Sequence, residues 1–513
     1  MKKKTFNFII YNVIVVTLIL GLIELTFTYF LNNPQKISGK YLRQFQDYYT
    51  LVDRKIIQYE NEFSRYDKEL FYTLKPGVFQ YKNREFENEF RVNSKGLRDD
   101  EESLSSPEII VLGDSYAMGW GVDQDSTFSE ILAKGSSKNV LNAGVSSYGT
   151  AREIALLEQL DISNTEALII QYCSNDDLEN KTFYFNNNHL KISSEEEYKK
   201  IKEAAAEINE YYFMKNMIYI GGSILLNKGY ETYQVIERFD PSLLQSQEVQ
   251  MSQVELFLNA LTASESIKKI PKIIITNLDI APNEHFSENL RAELSDNAYE
   301  ELRKKIIILD VSEILKKEDY YILDQHIKAS FHKKIGDLLV DLVLKKSLKE
   351  SEEFKVETIQ DFEGEKNSWT FDASKIIDGY YSMNTEDEWG PTYKFEISKN
   401  DLKTGYIAIE SSYSILKESY EDGTLVISID VEGETLFWFA GNTETSITSK
   451  SDSSWVTASN RVVLHDLENK LDGTAIVSVF YWNKGKSPVK LDNFSIGLRK
   501  EQPVVYSFNK FAF

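Results

Sequence analysis

The sequence predicts an α/β fold followed by an all-β region, and two features carry this prediction. Short apolar runs alternate with helical segments at residues near 108–112, 138–141, 166–171, 272–277 and 305–309. Such runs are typical of parallel strands that helices cover on both faces. From about residue 354 the helical segments stop and short alternating runs follow, which indicates a β-sandwich. We therefore expect a flavodoxin-like three-layer α/β/α sandwich with a parallel sheet of these five strands, and after it a β-sandwich.

The first element is an apolar run from Phe8 to Leu31 that follows three lysines. As a helix its 24 residues would extend about 36 Å, enough to cross a hydrocarbon core of about 30 Å. The lysines place the amino terminus in the cytoplasm and the remainder outside. Because no small-residue cleavage site follows, we expect an uncleaved membrane anchor at 1–34, with a cleaved signal peptide as the alternative. Glu24, inside the run, marks either a partner helix or a side chain that reaches the outer interface.

A helical stalk is predicted at residues 35–70. Its apolar stripe recurs at intervals of four and three, at Tyr41, Phe45, Tyr48, Val52, Ile56, Tyr59 and Phe63. This spacing is typical of one face of a helix about six turns long. The stripe either self-associates or packs on the same chain. The α/β domain is expected at 71–350, with an insertion at about 177–265. The insertion forms either a lid or acceptor-binding wall over the site, or ordinary scaffold helices.

Polar residues follow several of the predicted strands, at the points where these strands end. Ser115 follows the first strand in the run Gly-Asp-Ser, Gly144 the second and Asn175 the third, while Asp324 and His326 come after the last. In open α/β sheets the carboxyl ends of the strands share one edge, where ligands bind. Ser115 could therefore meet His326 as its base, with Asp324 accepting from the imidazole Nδ1–H. The amides of Ser115 and Gly144 and the Asn175 side chain could bind an oxyanion.

Each of these residues also has a simpler interpretation. Ser115 could serve only as a helix N-cap, and Asn175 with Asp176 could form a strand-end turn. His332 is the nearest rival base, but it falls inside a predicted helix and has no adjacent carboxylate. Cys173 lies on a buried strand and is interpreted as a small apolar filler.

At these residues the sequence resembles the SGNH hydrolase superfamily, also called GDSL esterases and lipases. The family's serine, glycine, asparagine and histidine match Ser115, Gly144, Asn175 and His326, with Asp324 as the third triad member. The run 142–149 resembles the family's second block, and 93–98 resembles a lead-in of bacterial members. The resemblance covers about residues 70 to 347 and implies an acyl-enzyme mechanism without a cofactor or a metal ion. Supporting residues are then expected at Asp114, Asn142 and Asp176.

The chain departs from the family pattern at three places. Tyr116 stands where a leucine usually follows the serine, and Cys173-Ser174 replaces the glycine that often precedes the asparagine. After His326 the chain has Ile327-Lys328 rather than Pro-Asn or Trp-Asn. No catalytic group is lost, but close analogy of substrate is not implied.

The all-β region is expected at 354–500, followed by a tail at 501–513. Its strand pattern resembles the jelly-roll accessory modules of bacterial carbohydrate-active enzymes. Trp389 lies in a polar, turn-rich loop and is the best candidate for stacking on a sugar ring. Acidic loops are present, but none has a clear spacing of calcium ligands.

Composition narrows the function further. The formal net charge of −22 argues against a nucleic-acid partner and against a basic membrane-binding face. A single cysteine excludes an intramolecular disulfide. The expected function is a membrane-tethered, extracytoplasmic serine esterase or O-acyltransferase for O-acetyl groups of a cell-envelope or exported glycan, with a membrane partner that could supply acyl groups. The alternative is a non-catalytic glycan-binding envelope protein.

Overall fold

The computed structural model describes residues 2–226, 251–279, 286–344, 353–363, 368–416, 423–441, 447–449, 454–465 and 467–507. These residues fall into two compact units. The first comprises Met1–Pro271 with Lys317–Leu344, and the second comprises Lys272–Lys316 with Lys345–Phe513. The domain boundaries expected from the sequence stay predictions.

The first unit contains most of the helices. They are α1 (Lys2–Leu31), α2 (Gly39–Tyr48), α3 (Ser115–Met118), α4 (Phe128–Ser136), α5 (Thr150–Leu157), α6 (Asp176–Phe185), α7 (Glu195–Asn209), α8 (Gly222–Leu226), α9 (Gln253–Thr262), α10 (Glu265–Lys269) and, late in the chain, α13 (Ala329–Val343). Its strands are β1 (Ser64–Asp67), β2 (Phe71–Leu74), β3 (Gly77–Lys82), β4 (Glu87–Val92), β5 (Ile109–Leu112), β6 (Val140–Asn142) and β7 (Ala167–Tyr172).

Three buried parallel strands organise the first unit. β5 pairs in parallel with β6 on one side and with β7 on the other. Every residue of these strands is buried, as continuous apolar runs favour when helices cover both faces of a sheet. Because the strands are parallel, the segments that follow Leu112, Asn142 and Tyr172 leave the sheet at the same edge.

The apolar amino-terminal run forms the helix expected of it. α1 contains a stretch, Phe6–Leu31, with a mean hydropathy of 2.4, and 6% of its most apolar window is buried. By length and composition this helix could cross a membrane, as an anchor or as a signal sequence.

The long helix expected from Tyr41 to Phe63 is wrong. α2 ends at Tyr48, a wide π-type turn covers Tyr49–Asp53, and the chain then continues to β1. The helix ends because the apolar residues of the stripe are buried against different parts of the chain. Tyr48 packs with the end of α1, Ile57 packs under the β3–β4 hairpin, and Tyr59 contacts Tyr72. The stripe therefore packs on its own chain, the second of the two alternatives.

The second unit begins with two parallel strands, β8 (Ile273–Asn277) and β9 (Ile306–Asp310), which complete the five expected from the sequence. The helices α11 (Phe286–Glu293) and α12 (Glu300–Arg303) lie between them in the chain. The expected tail is wrong in part, since β21 (Val504–Ser507) pairs antiparallel with β9. Its Val-Val-Tyr-Ser sequence contains β-branched and aromatic residues, which favour strands. Residues 508–513 lie outside the described residues.

Two antiparallel sheets form the expected β-sandwich of the second unit. The first sheet contains β10 (Phe354–Gln360), β11 (Ile376–Ile377), β12 (Tyr380–Met383), β14 (Tyr406–Leu416), β17 (Ile447–Ser449), β18 (Trp455–Val463) and β20 (Val489–Lys500). The other has the order β13 (Trp389–Ser398), β19 (Thr474–Asn483), β15 (Gly423–Val431) and β16 (Glu434–Ala440). The short helices α14 (Lys399–Lys403) and α15 (Leu467–Lys470) accompany them. One apolar cluster, which includes Trp369, Tyr413 and Phe494, fills the sandwich. The α/β-plus-sandwich fold class is thus confirmed.

Candidate active site

Ser115 lies at a sharp turn between β5 and α3. Gly113 has φ +150°, and a Cβ there would meet Ala117 Cβ at 2.6 Å and Gln171 Oε1 at 2.7 Å, so the turn excludes a side chain. Asp114 caps α3, because its Oδ1 accepts a hydrogen bond from the Tyr116 amide at 2.9 Å. The turn therefore presents Ser115 at the carboxyl end of a buried strand, with 9% of the residue exposed.

His326 and Asp324 lie in line with Ser115. His326 Nε2 is 2.7 Å from Ser115 Oγ, and His326 Nδ1 is 2.5 Å from Asp324 Oδ1. Gln325, between the two, has φ +64°, a left-handed conformation that non-glycine residues adopt only when their surroundings impose it. The structure thus brings together the three residues that the sequence analysis proposed as nucleophile, base and orienting acid.

Tyr116, one of the departures from the family pattern, holds the histidine from one side. Its ring centroid is 4.7 Å from that of His326, and its hydroxyl donates to the Gln325 carbonyl at 3.0 Å. Trp120 also approaches the imidazole, with 5.9 Å between ring centroids. Tyr116 and Trp120 therefore support His326, which leucine at position 116 could not do in the same way.

Asp324 is held by a residue that the sequence analysis missed. Tyr49 donates its hydroxyl hydrogen to Asp324 Oδ2 at 2.5 Å. Burial and the neighbouring Asp324 raise the pKa of Tyr49 well above its usual range, so the phenol stays a donor. Burial by itself would raise the pKa of Asp324, but His326, Arg54 and Tyr49 together hold it below its usual range. Asp324 therefore stays a carboxylate.

Glu85, also missed, holds the backbone of the loop that carries Asp324. Its carboxylate accepts from the amides of Ile322, Leu323 and Asp324 at 2.7 to 2.9 Å. Glu85 and Tyr49 precede Asp324 by more than two hundred positions, and no motif marks either one. No sequence signal could have found them.

Gly144 is the residue at which the loop after β6 contacts α3. A Cβ at this position would meet Met118 N at 2.4 Å and Ala117 C at 2.7 Å, so only glycine fits. The Gly144 amide donates to Asn142 Oδ1 at 3.0 Å, and Asn142 Nδ2 donates to the Ala117 carbonyl at 3.1 Å. Asn142 therefore ties the loop to α3. An oxyanion would have to share the Gly144 N–H with the Asn142 side chain.

Asn175 and Asp176 come from the end of β7. The exposed Asn175 donates from Nδ2 to Asp114 Oδ2 at 3.3 Å, which places its amide beside Ser115. Asp176 is buried and accepts from the Thr150 hydroxyl at 2.7 Å. Within the described residues, neither carboxyl oxygen of the buried Glu153 has a hydrogen-bond partner. Burial, followed by neighbouring carboxylates, raises the pKa of Asp176 and of Glu153 well above the usual range.

Gln171 is a third residue that the sequence analysis missed. Its Oε1 accepts from the amides of Asp114 at 3.3 Å and Ala117 at 3.2 Å, on both sides of Ser115. A sequence signal existed here, since Gln171 is a polar residue inside an otherwise apolar strand. A fully buried glutamine needs a partner, and the turn around Ser115 supplies two.

The rival histidine is placed elsewhere. His332 is fully buried in α13, its Nδ1 accepts from the Phe128 amide at 3.2 Å, and its ring stacks on Phe128. Burial lowers the pKa of His332 to about 3. It is a neutral core residue and not a base for Ser115.

An aromatic patch lies on the sandwich of the second unit. Trp389 is 52% exposed, and its ring stacks on Trp482 with 5.8 Å between centroids. Phe480 contacts Trp389 and also Trp438, which is 50% exposed. The exposure predicted for Trp389 is confirmed, and Trp438 is a further exposed tryptophan that the sequence analysis did not single out.

The arrangement around Ser115 has a defined chemical capacity. An imidazole that receives a hydroxyl proton at Nε2 while a carboxylate holds Nδ1–H can turn the serine into a nucleophile. Asn175 is bonded to Asp114, the residue before Ser115, and its role in binding an oxyanion stays a prediction.

No protein-family model matches the chain, and no curated protein sequence matches it. In structure, the chain is similar to a lipolytic protein of the G-D-S-L family from Desulfitobacterium hafniense DCB-2. The two sequences are 13% identical, the match covers 45% of this chain and 95% of that one, and the TM-score is 0.25. It is also similar to a two-domain esterase active on acetylated mannans, with 11% identity, 78% and 94% coverage, and a TM-score of 0.23.

The β-sandwich is similar to a xylan-binding domain from Paenibacillus barcinonensis, with 17% identity, coverage of 29% of this chain and 97% of that one, and a TM-score of 0.19. At TM-scores of this size the functional interpretation rests on the geometry around Ser115.

Proposed function

We propose that this protein is a membrane-tethered serine esterase of the SGNH type. The observation that carries the proposal is the continuous line from Ser115 Oγ to His326 Nε2, 2.7 Å, and from His326 Nδ1 to Asp324 Oδ1, 2.5 Å. These three side chains are mostly buried at the carboxyl edge of the sheet, where open α/β folds bind their ligands.

In the proposed reaction Ser115 Oγ attacks an ester carbonyl while His326 takes the serine proton. Asp324, a carboxylate held by Tyr49, stabilises the imidazolium that forms. The Ser115 N–H, the Asn175 amide and the Gly144 N–H, the last shared with Asn142, would bind the oxyanion. His326 then gives its proton to the departing alcohol, which leaves an acyl-enzyme.

The acyl-enzyme can be resolved by water or by a sugar hydroxyl. Both routes use the same covalent intermediate, so esterase and O-acyltransferase remain two outcomes of one site. We propose an O-acetylated glycan of the cell envelope or an exported polysaccharide as the substrate. The exposed Trp389, Trp438 and the neighbouring Trp482 support this choice, because aromatic faces stack on sugar rings.

The location that we propose is the outer face of a membrane. The apolar helix α1 is long enough to cross a bilayer, and the lysines before it favour a cytoplasmic amino terminus. The rest of the chain after α1 would then be extracytoplasmic, where exported glycans are found.

The test is covalent labelling of the full chain, in detergent micelles, with a fluorophosphonate probe. Wild type is expected to react, and Ser115→Ala is expected to lose at least about 10³-fold of the labelling rate, since the activated hydroxyl is gone. Ser163→Ala, an exposed serine at the amino end of β7, is the matched control and should label like wild type. A folded wild type that does not react would favour the non-catalytic glycan-binding alternative.

Hydrolysis and transfer are separated by the products. The wild type is incubated with an activated acetyl ester, with and without an oligosaccharide acceptor. Free acetate as the main product in both cases supports an esterase, and an acetylated oligosaccharide as the main product supports a transferase.

A further inference from the structure

The outer end of α1 is built into the first unit. Leu18 and Leu22 are each 67% exposed, whereas Glu24 is 3% exposed and Leu31 is fully buried. Phe27 and Phe30 pack in the same apolar cluster as Leu31. One face of the last two turns is therefore covered by protein, whereas Leu25 and Tyr29 in these turns stay exposed.

The segment that covers these turns belongs to the insertion. Glu24 accepts hydrogen bonds from the Met217 amide at 2.8 Å, the Asn216 amide at 3.2 Å and the Tyr211 hydroxyl at 2.9 Å. Asn216 Nδ2 donates to Thr28 Oγ1 at 2.9 Å. The carboxylate of Glu24 is thus bonded to an insertion segment of its own chain.

The same segment exposes large apolar side chains next to α1. We call them the insertion patch: Tyr211, 59% exposed, Tyr212, 47%, Phe213, 56%, Ile218, 50%, Leu225, 86%, and Leu226, 70%. Between them, Ile220 and Ser223 face inward and are buried. Large apolar side chains exposed together on one segment favour an interaction site.

The length of α1 sets the level of the insertion patch in a bilayer. The apolar stretch has 26 residues, or about 39 Å as a helix, while a hydrocarbon core is about 30 Å thick. The part from Phe6 to Glu24 would extend about 28 Å and matches the core by itself. Glu24 then lies at the outer boundary of the hydrocarbon, and Tyr211, bonded to Glu24, lies at the same level.

We propose that the insertion patch is seated in the outer interface of the lipid bilayer beside α1, so that the first unit has two membrane contacts and not one. This inference rests on the proposed tether. Aromatic residues favour the membrane–water interface, and Tyr29 of α1, 47% exposed, adds to those of the patch. Lys36 donates to the Tyr29 hydroxyl and lies 4.8 Å from its ring centroid, which places a cation among the headgroups.

The second contact fixes the site relative to the membrane. Tyr49, which holds Asp324, and Leu323, the residue before it, belong to the same cluster as Leu31 and Ile220. A unit held by one flexible stalk could swing away from the bilayer. A unit held by α1 and by the insertion patch would keep the site around Ser115 near the headgroups, where it would act on glycans presented at the membrane surface.

The test places an environment-sensitive NBD label at single cysteines in the full chain. The background is Cys173→Ala, which removes the only native cysteine and is first checked for fluorophosphonate labelling. Leu225→Cys and Phe213→Cys report on the insertion patch. Asn164→Cys, an exposed position at the amino end of β7 and so at the opposite edge of the sheet, is the matched control. Leu18→Cys reports on α1 itself.

Each protein is reconstituted in vesicles of phosphatidylcholine and phosphatidylglycerol. The vesicles contain no quencher, phosphatidylcholine with a doxyl quencher near its headgroup, or phosphatidylcholine with a doxyl quencher deep in its acyl chain. The labels at 225 and 213 are expected to emit at shorter wavelength than the label at 164, and to lose about half or more of their intensity to the quencher. The label at 164 should stay unquenched.

The outcomes separate this inference from the proposed tether. Quenching of the label at 18 by a deep doxyl lipid, with none at 225 or 213, would overturn the seating of the patch and leave the anchor intact. A label at 225 that is blue-shifted but not quenched would mean that protein, such as a second copy of the chain, covers the insertion patch. This result would also overturn the seating of the patch in the bilayer. If no label is quenched, including the label at 18, the proposed membrane anchor is contradicted as well.

Discussion

Two clusters of buried acidic residues, one in each unit, differ in what neutralises them. In the second unit Glu313 receives a bidentate pair of hydrogen bonds from Arg499, and Asp310 pairs with Arg461. Burial by itself would raise the pKa of Asp310, but Arg461 holds it below its usual range. In the first unit, Glu153 and Asp176 have raised pKa values. Their neighbour Glu179 is the carboxylate that pairs with Arg152 there, at 2.8 Å.

The difference indicates what each cluster does. Arginine-compensated carboxylates join strands and contribute to the fold, here between Asp310 of β9 and Arg461 of β18. Carboxyl groups left without a cation are destabilising, and such groups concentrate at functional sites. Asp176 directly follows Asn175, whose amide lies beside Ser115. The uncompensated cluster therefore lies behind the edge of the sheet that we propose to be catalytic.

The largest effect is expected at Asp324. Asp324→Asn removes the acceptor that holds His326 Nδ1–H, so the imidazole loses its orientation and kcat/KM for a small acetyl ester should fall about 10³- to 10⁴-fold. Steady-state kinetics on a folded variant measures this. Asp319→Asn, a buried carboxylate in the preceding turn, is the matched control and should keep activity within about twofold. A drop of less than tenfold for Asp324→Asn would contradict its assigned role.

A change in the arginine-paired cluster of Asp310 and Glu313 should lower the stability of the second unit. Glu313→Gln leaves Arg499 and Arg461 buried without their shared carboxylate, which should lower the free energy of unfolding of the second unit by about 3–5 kcal/mol. Denaturant unfolding, followed by tryptophan fluorescence, measures it. Five of the six tryptophans lie in that unit. The exposed Glu386→Gln should change stability by less than about 0.5 kcal/mol, and equal effects of the two variants would remove the contrast between the clusters.

The uncompensated cluster should show its own pH dependence. Because the pKa of Glu153 is raised in the folded state, its contribution to stability is full below the unfolded pKa of about 4.3 and is lost as the pH rises through the folded value. Glu153→Gln removes this loss. The variant should therefore gain stability relative to wild type as the pH rises from 4 to 8. Urea unfolding at both pH values is the measurement, and a pH-independent difference would count against an uncompensated carboxyl group.

The smallest effect is expected at Tyr49. Tyr49→Phe removes one of the two side-chain hydrogen bonds to Asp324. We expect kcat to fall about 10-fold with little change in KM, since a single hydrogen bond to a charged group contributes about 1.5 kcal/mol. Tyr48→Phe is the matched control, because Tyr48 donates to Asn216 and not to the site. Equal kinetic losses in both variants would indicate a general packing effect.

The elements around the site could be predicted from local patterns. The five apolar runs that predicted parallel strands correspond to β5 through β9 with boundaries shifted by two residues at most, because a buried parallel strand must be apolar on both faces. Ser115, His326 and Asp324 could be proposed from their positions after predicted strands. The role of Gly144 and Asn175 in binding an oxyanion stays a prediction. The stripe from Tyr41 to Phe63 misled for a physical reason. Helical spacing shows which residues are apolar, and it does not show that they bury in one place.

By itself the sequence determined the order of the strands along the chain, the apolar amino-terminal helix, the change to a β-sandwich, and the residue types capable of acyl transfer. These properties are local, since each depends on neighbours within a few positions. Only the tertiary structure decided that Tyr49 and Glu85 hold Asp324, that Gln171 holds the turn at Ser115, and that Glu24 binds the insertion. Those contacts join segments from about sixty to more than two hundred residues apart, and hydrogen bonds between such segments exist only after the chain has packed.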